Sequence, residues 1–192
     1  MIFLKILVET SARHIHLSKK DFELLFGRNE KPTLKKELSQ PGQFACVEKV
    51  DIIGTKDRIK NVAILGLFRE QTQVELSLTD ARKLGIAVPI RDSGDLSGTP
   101  GCTLVGPNGT LRLSQGVMVA RRHIHLDPKT ALNFNLEDRQ LVQVKITSES
   151  RSLIFDDVRV CIHENFCPAM HIDTDEANAA GITVGTYGEV LI

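Results

Sequence analysis

The chain has 192 residues, of which 42% are hydrophobic and 25% charged, and its 24 basic residues balance its 24 acidic ones. Such a composition is typical of a soluble globular protein, and the zero net charge argues against nucleic acid or an anionic membrane as partner. We therefore expect a small-molecule partner, and either one large domain or two small ones.

The start of the chain and its cysteines indicate the compartment. Met1–Val8 is apolar, but Lys5 interrupts it and no cleavage site of small residues follows, so it predicts a strand and not a signal peptide. The four cysteines are scattered in a chain long enough to fold without disulfides, which predicts reduced thiols in the cytoplasm. Only Cys161 and Cys167 are clustered, and their spacing lacks the tight CxxC arrangement of structural zinc sites.

A pentapeptide is repeated: Arg13–Leu17 returns almost unchanged as Arg122–Leu126, and both copies contain His-x-His. In an extended strand the two imidazoles of such a motif project from one face, about 6.6 Å apart along the strand. One copy alone is a weak signal, because two surface histidines on an edge strand explain it equally well. The second copy indicates a duplicated unit and predicts two metal half-sites.

The first half of the chain contains further elements with clear local signals. Ser18 caps a predicted helix over 19–26 that Gly27 ends, and strands are predicted over 44–53 and 61–67. A polar strand over 69–75 follows, in which the odd-numbered residues Arg69, Gln71, Gln73 and Glu75 share one face.

Beyond this strand, Thr79 is the predicted N-cap of a helix over 80–84 that Gly85 ends. The segment 91–101 is a predicted surface loop, and Asn108-Gly109 predicts a hairpin with a type I′ turn. In the second half, Pro128 opens a short helical stretch and strands are predicted over 141–146 and 155–162.

The segment Met170–Ile182 aligns without gaps on Val74–Ile86, which sets His171 opposite Glu75. The predicted metal-ligand triads are therefore His14, His16 and Glu75 in the first half and His123, His125 and His171 in the second. Two histidines with a carboxylate, or three histidines, form a frequent catalytic zinc set, because a coordination position stays open for water or substrate. Iron, nickel and cobalt suit the same ligands, and a repeated structural strand whose histidines bind core carbonyls is the alternative.

Arg69 lies six residues before Glu75 on the same face, and its planar fork suits phosphate, although a surface salt bridge would also explain it. Among metal-enzyme classes, a cupin oxygenase would place a carboxylate three or four residues after His-x-His, where this chain has none. The amidohydrolase barrel needs about 250 residues, more than the chain contains.

The sequence resembles the PduL-type phosphotransacylases, or phosphate propanoyltransferases, over nearly its whole length. The resembling motifs are Ser11–Leu17, Leu38–Ala45, Arg69–Glu75, Arg91–Gly94, Arg122–His125 and His171–Asn178. The resemblance implies a mainly β fold with short helices, in which internal duplication relates two small β-barrel domains. These would comprise residues 13–120 and residues 1–12 plus 121–192, with the N-terminal strand completing the second barrel and two zinc ions between the barrels.

The resemblance also implies a reaction, in which a short-chain acyl-CoA plus phosphate interconverts with acyl phosphate plus CoA. Its implied phosphate-side residues are Arg69, Gln40, Gln73 and Ser93, and its implied CoA-side residues are Ser11, Lys36 and Asn178. The nucleophile-base pattern of a covalent acyl-enzyme is missing, so direct transfer is predicted. A noncatalytic metal- or nucleotide-binding module is the alternative function, and a homo-oligomer is left open.

Family members housed in bacterial microcompartments carry an N-terminal extension for encapsulation. Here only about a dozen residues precede the first motif, so we expect a cytoplasmic protein, with the microcompartment lumen as the alternative.

Overall fold

The computed structural model describes residues 4–191, which form fifteen strands and four short helices. The strands are β1 Leu4–Ser11, β2 His14–His16, β3 Leu34–Glu37, β4 Phe44–Ile53, β5 Arg58–Gly66, β6 Gln73–Glu75, β7 Ile90–Arg91, β8 Thr103–Val105, β9 Thr110–Arg112, β10 Val117–Ala120, β11 His123–Leu126, β12 Leu141–Ile146, β13 Leu153–Ile162, β14 Ala169–Asp173 and β15 Tyr187–Leu191. The helices are α1 Lys19–Phe26, α2 Leu78–Leu84, α3 Pro128–Asn133 and α4 Thr174–Ala180. The predicted fold class, mainly β with short helices, is confirmed.

The chain divides into two compact units, and the first combines the N-terminal segment up to Ser11 with everything from Arg121 onward. Its strands form a closed barrel in the order β1-β14-β11-β13-β12-β15. β1 pairs in parallel with β14 and antiparallel with β15, so the N-terminal strand closes this barrel. The part of the predicted first strand that covers residues 1–3 lies outside the described residues.

The second unit, Ala12–Ala120, contains a curled nine-stranded sheet in the order β7-β10-β6-β2-β5-β4-β8-β9, with β3 paired to β4. The long antiparallel pair of β4 and β5 has irregular register at two places. Such bulges increase local twist, which helps a sheet to curl around its own core.

Each unit has its own hydrophobic core. In the first, alternate residues Leu4, Ile6 and Val8 of β1 point inward and meet side chains of β12 and β14. In the second, Ile15 between the two histidines of β2 is fully buried, as the strand alternation requires. The apolar residue of each His-x-His motif thus anchors its strand while the histidines face away from it.

The repeated pentapeptide has the same strand neighbours in both units. β2 lies between β6, antiparallel, and β5, parallel. β11 lies between β14, antiparallel, and β13, parallel. Each antiparallel neighbour runs directly into a short helix that ends at a glycine with left-handed φ, Gly85 in one unit and Gly181 in the other. The gapless alignment of the two segments therefore corresponds to equivalent structure.

One predicted helix cap and one predicted turn need correction. Helix α2 begins at Leu78, because Ser77 and not Thr79 caps it, accepting the backbone N–H of Asp80. Asn108-Gly109 does lie in a hairpin, between β8 and β9, but the connection is four residues long and closes with a bond from the Gly106 N–H to the Gly109 carbonyl. A type I′ turn would need positive φ at both central residues, and neither Asn108 nor Gly109 has it.

A candidate metal centre and its polar surroundings

In the second unit, β2 and β6 bring His14, His16 and Glu75 together. The register pairs His14 with Glu75 directly, and the ligand-type atoms of all three residues lie within 4.8 Å of one another. His14 Nε2 is 3.4 Å from Glu75 Oε2, and His16 Nε2 is 3.9 Å from Glu75 Oε1. Ligands of one tetrahedral zinc, with bonds of about 2.0–2.1 Å, lie roughly 3.5 Å apart. His14, His16 and Glu75, the triad predicted in the first half of the chain, are thus assembled at nearly the spacing that a metal ion needs.

The ring of His14 is oriented by the backbone. Its Nδ1 lies 2.8 Å from the carbonyl oxygen of Ala12, which fixes Nδ1 as the donor and leaves the Nε2 lone pair facing Glu75. Burial by itself lowers the pKa of His14, but the negative charge and hydrogen bond of Glu75 outweigh it and raise this pKa. The carboxylate of Glu75 and the ring of His14 thus stabilise each other electrostatically.

Glu75 is a buried carboxylate, only 9% exposed. Burial raises its pKa, yet the charges of His14, His16 and Arg69, together with the His14 hydrogen bond, hold the pKa well below its usual range. Gln73 Nε2 donates to Glu75 Oε1 at 2.5 Å and Ser93 Oγ donates to the same atom at 3.0 Å. Glu75 therefore stays ionised, as a metal ligand must.

Arg69 lies beside this triad in a polar network. Its Nη1 donates to Gln73 Oε1 at 3.0 Å and to Ser93 Oγ at 3.1 Å. The backbone N–H of Gly94 donates to Gln73 Oε1 at 2.9 Å, and Gln73 Nε2 reaches Ser93 Oγ at 3.1 Å. Three residues that the resemblance assigned to the phosphate side are consequently joined to one another and to Glu75.

The second histidine of the motif also contacts Arg69. Arg69 Nη2 is 3.0 Å from His16 Nε2, and since a guanidinium can only donate, this nitrogen accepts. Burial, followed by the nearby charges of His14 and Arg69, lowers the pKa of His16 to about 3. His16 is thus a neutral imidazole with a lone pair on Nε2, which is the form that binds metals.

The first unit brings His123, His125 and His171 together. The ring centroids are 4.6 Å apart for His123 and His125, 5.3 Å for His123 and His171, and 4.8 Å for His125 and His171. As in the other unit, the register pairs the first motif histidine with the third ligand, His123 with His171. The His123 Nδ1 again lies 2.8 Å from the carbonyl two residues earlier, that of Arg121.

His125 carries an unsatisfied polar atom. Its Nδ1 is buried and has no hydrogen-bond partner among the described residues, while Phe166 stacks on the ring at 3.9 Å between centroids. Burial and the charge of His123 lower the pKa of His125 to about 3. A neutral imidazole with an unsatisfied nitrogen beside two others fits a metal ligand better than a structural histidine bonded to core carbonyls.

The remaining predicted site residues are more dispersed. Gln40 is buried in the turn between β3 and β4, Ser11 ends β1, Asn178 is exposed on α4 and Lys36 is exposed on β3. Gln71 leaves the predicted face, because β6 begins only at Gln73, and it accepts a bond from Gln115 instead.

The sequence assigned no role to two residues beside His123, His125 and His171, the triad of the first unit. Phe166 stacks on His125, and Glu9 Oε2 lies 3.7 Å from His171 Nδ1. The parallel pairing of β1 with β14, which sets Glu9 opposite His171, carries no local sequence signal that would have indicated the second contact.

Fold and site together define a two-unit β protein with a candidate metal centre of two histidines and a carboxylate in one unit, beside an arginine suited to an anion, and a cluster of three histidines in the other. Among residues 4–191, no helix combines the length and hydropathy needed to span a bilayer.

The family model for PTAC: Phosphate propanoyltransferase matches residues 7–183. A phosphate propanoyltransferase from Thermotoga maritima is 51% identical over 94% of this chain and 86% of its own length. Those from Enterococcus faecalis and Clostridioides difficile are 50% and 48% identical, each over 96% of this chain and over 87% and 88% of their own lengths. The chain belongs to the phosphate propanoyltransferase family and is an enzyme of the phosphate acyltransferase type.

Proposed function

We propose that the protein is a zinc-dependent phosphate acyltransferase that interconverts a short-chain acyl-CoA, propanoyl-CoA or acetyl-CoA, plus phosphate with acyl phosphate plus CoA. The family establishes the reaction type, and the names of the relatives favour the propanoyl group. The alternative of a noncatalytic binding module does not agree with membership of an enzyme family.

The observation that carries the proposal is the position of Arg69 beside the first triad. Its guanidinium bonds His16, Gln73 and Ser93 at 3.0 to 3.1 Å. The His16 Nε2 lone pair can serve only one partner, so coordination through this atom frees the Nη2 group of Arg69. A guanidinium released in this way has N–H groups to offer to two oxygens of a phosphate.

Burial supports the same role. Burial lowers the pKa of Arg69, and the negative charge of Glu75 partly offsets this effect. Because a guanidinium keeps its proton in proteins, Arg69 remains a cation at every working pH. Because a charge in a partly desolvated place interacts more strongly than one in water, Arg69 can hold phosphate firmly. Ser93 Oγ and Gln73 Nε2, which donate to Glu75 here, are further polar groups at the same place that metal binding by Glu75 would release.

In the proposed reaction, an oxygen of hydrogenphosphate attacks the thioester carbonyl carbon. A new C–O bond forms, the C–S bond breaks with its electron pair going to sulfur, and the phosphate proton ends on the CoA thiol. Arg69, Gln73 and Ser93 orient the phosphate so that one oxygen faces the carbonyl, which lowers the entropic barrier to attack. No oxidant or reductant is needed.

Two zinc ions are the proposed cofactors, one held by His14, His16 and Glu75 and one by His123, His125 and His171. The neutral imidazoles of His16 and His125 and the ionised Glu75 fit this role. When bound, zinc supplies positive charge and a Lewis acid for the oxyanion and thiolate that develop during transfer. Gln40 is a further proposed phosphate contact, and Ser11, Lys36 and Asn178 are proposed CoA contacts.

The test is a phosphate-dependent assay of CoA thiol release from acetyl-CoA, propanoyl-CoA and a longer acyl-CoA. Chelator-treated protein should lack activity and regain it with zinc, and metal analysis should find two equivalents per chain. Exchange that survives complete metal removal would overturn zinc dependence. Failure to release CoA from every acyl-CoA under zinc-loaded conditions would overturn the reaction itself.

A further inference from the structure

An ion pair recurs at equivalent places in the two units. Arg13 Nε donates to Asp80 Oδ2 at 2.7 Å, and Arg122 Nη1 donates to Glu176 Oε1 at 2.8 Å. Arg13 and Arg122 immediately precede the first histidine of each motif. The alignment that sets Glu75 opposite His171 also sets Asp80 opposite Glu176.

Both acids occupy the same helix position. Asp80 is the third residue of α2 after its cap Ser77, and Glu176 is the third residue of α4 after its cap Asp173. Each cap lies two residues beyond a third triad member, Glu75 or His171. Each ion pair therefore links the His-x-His segment to the helix that continues the strand of the third ligand.

The arginine also lies within the loop that orients the first histidine. His14 Nδ1 contacts the carbonyl of Ala12, and His123 Nδ1 contacts that of Arg121, so the intervening residues are Arg13 and Arg122. Fixing the side chain of the intervening arginine fixes the peptide on either side of it, including the carbonyl that selects the histidine tautomer.

The pairs differ in their burial. The Asp80 side chain is 7% exposed and that of Arg13 45%, whereas Arg122 and Glu176 are 28% and 20% exposed. Arg122 also donates to the Asp156 carbonyl at 2.6 Å and lies over the Phe155 ring. Glu176 closes a capping box with the N–H of Asp173. Arg122 is thus held by more partners than Arg13.

We propose that Arg13–Asp80 and Arg122–Glu176 are positioning pairs, each of which holds the first and third metal ligands of its own triad in register. They touch no reacting atom and act through the Ala12 and Arg121 carbonyls and the start of α2 or α4. This inference rests on the proposed function, since it concerns the zinc triads named there.

The experiment measures zinc affinity by competition with a chromophoric chelator, on the full chain. In Asp80→Asn and in Arg13→Gln, one of two zinc equivalents should bind roughly 10–100-fold more weakly, as outer-shell changes do, while the other is unchanged. Because Arg13 and Asp80 act as one pair, the double variant should weaken binding no more than either single variant. Arg122→Gln should weaken the other equivalent, but less strongly, because the capping box also holds Glu176.

A conservative variant and a matched control separate positioning from general stability. Asp80→Glu reproduces the arrangement of the other unit and should restore most of the affinity. Asp51→Asn breaks the ion pair of Asp51 with Arg58 on the β4–β5 hairpin and should leave both zinc equivalents unchanged. Thermal unfolding of the metal-free variants reports any loss of fold independently.

The outcomes are distinguishable. Wild-type affinity for two zinc ions in Asp80→Asn and Arg13→Gln overturns the inference and leaves the proposed function standing. Equal weakening of both equivalents, in step with a lower metal-free melting temperature, also overturns it, because the pair would then stabilise the fold and not one triad. A wild-type protein that binds no zinc overturns both proposals together.

Discussion

The two histidine triads use the same backbone frame but have different surroundings. In both, a His-x-His strand pairs antiparallel with the strand of the third ligand, and the first histidine binds the carbonyl two residues before it. The second-unit triad contains a carboxylate and touches Arg69, Gln73 and Ser93. The first-unit triad is all imidazole, with Phe166 stacked on His125 and the Glu9 carboxylate 3.7 Å from His171 Nδ1.

The difference is one of charge and donors. A divalent ion in the carboxylate triad keeps one unit of positive charge less than the same ion among three neutral imidazoles. The weaker positive charge is accompanied by a guanidinium and neutral donors, which suit a polyanion such as phosphate. A divalent ion among the three imidazoles would keep more of its charge, although the Glu9 carboxylate lies 3.7 Å from His171. The repeated backbone frame thus carries two triads with chemically different surroundings.

The largest effect is expected from removing a ligand in either triad. His14→Ala and His123→Ala should each lose one zinc equivalent and nearly all turnover. The loss of zinc affinity should exceed the roughly 10–100-fold that outer-shell changes cause. Metal analysis and the CoA-release assay measure both. His163→Ala is the control histidine outside both triads: it is exposed, accepts the N–H of Asn165 and contacts the Phe166 ring at 5.3 Å between centroids. Unchanged zinc content in either variant would show that the substituted histidine does not hold a zinc ion.

The next effect tests whether phosphate binds in the second unit. Arg69→Lys keeps the cation but loses the planar fork, so kcat/KM for phosphate should fall about 100-fold while zinc content stays at the wild-type value. Arg58→Lys, at the ion pair with Asp51, is a control that should change neither. If the phosphate kinetics of Arg69→Lys equal those of wild type, Arg69 does not bind phosphate and makes only local contacts.

A smaller effect should follow from equalising the charge of the triads. Glu75→Gln keeps the shape, an acceptor for Ser93 and a neutral amide oxygen that can still reach the metal, so only the charge is lost. The second-unit zinc should then bind about tenfold more weakly, at the low end of the outer-shell range, and the first-unit zinc should be unchanged. Chelator competition resolves the two equivalents. Glu48→Gln alters an exposed carboxylate that accepts the Thr33 N–H and should have no effect. If Glu75→Gln binds both zinc equivalents as wild type does, the carboxylate is not a ligand.

Much of this arrangement follows from the sequence because it is repeated. The second copy of the pentapeptide and the gapless alignment of Met170–Ile182 named both triads, and the structure brings each together. Helix α1 was predicted with its bounds, since Ser18 and Gly27 carry unambiguous capping signals.

Other features depended on contacts that sequence does not display. Ser77 and Thr79 are both good N-caps, and only the pairing of β6 with β2 and β10 settles where the strand ends and α2 begins. Gln71 was wrongly placed on the Glu75 face, because period-2 alternation holds only within the three residues of β6. That one sheet closes and the other remains a curled open sheet depends on strand register, which hydrophobic alternation does not fix.

The smallest effect, close to none, is expected from the cysteines, and it tests direct acyl transfer. In the second unit, burial raises the pKa of Cys46 to about 11 and that of Cys102 to about 12, so neither forms the thiolate that nucleophilic attack requires. In the first unit, Cys161 is half-buried and Cys167 exposed. At pH 8 an alkylating reagent should therefore modify Cys161 and Cys167 in the native protein, and Cys46 and Cys102 only after unfolding.

Alanine at each of the four positions should leave turnover within about twofold of wild type, since a direct transfer uses no enzyme thiol. Initial-rate plots with acyl-CoA and phosphate varied together should then intersect, as a ternary complex requires, because both substrates must be bound before the C–S bond breaks. Parallel lines together with an acyl group trapped on Cys161 or Cys167, the two thiols that are not buried, would contradict direct transfer. The first unit would then provide the nucleophile, and its three-histidine triad would serve to stabilise a thiolate of the protein instead of that of CoA.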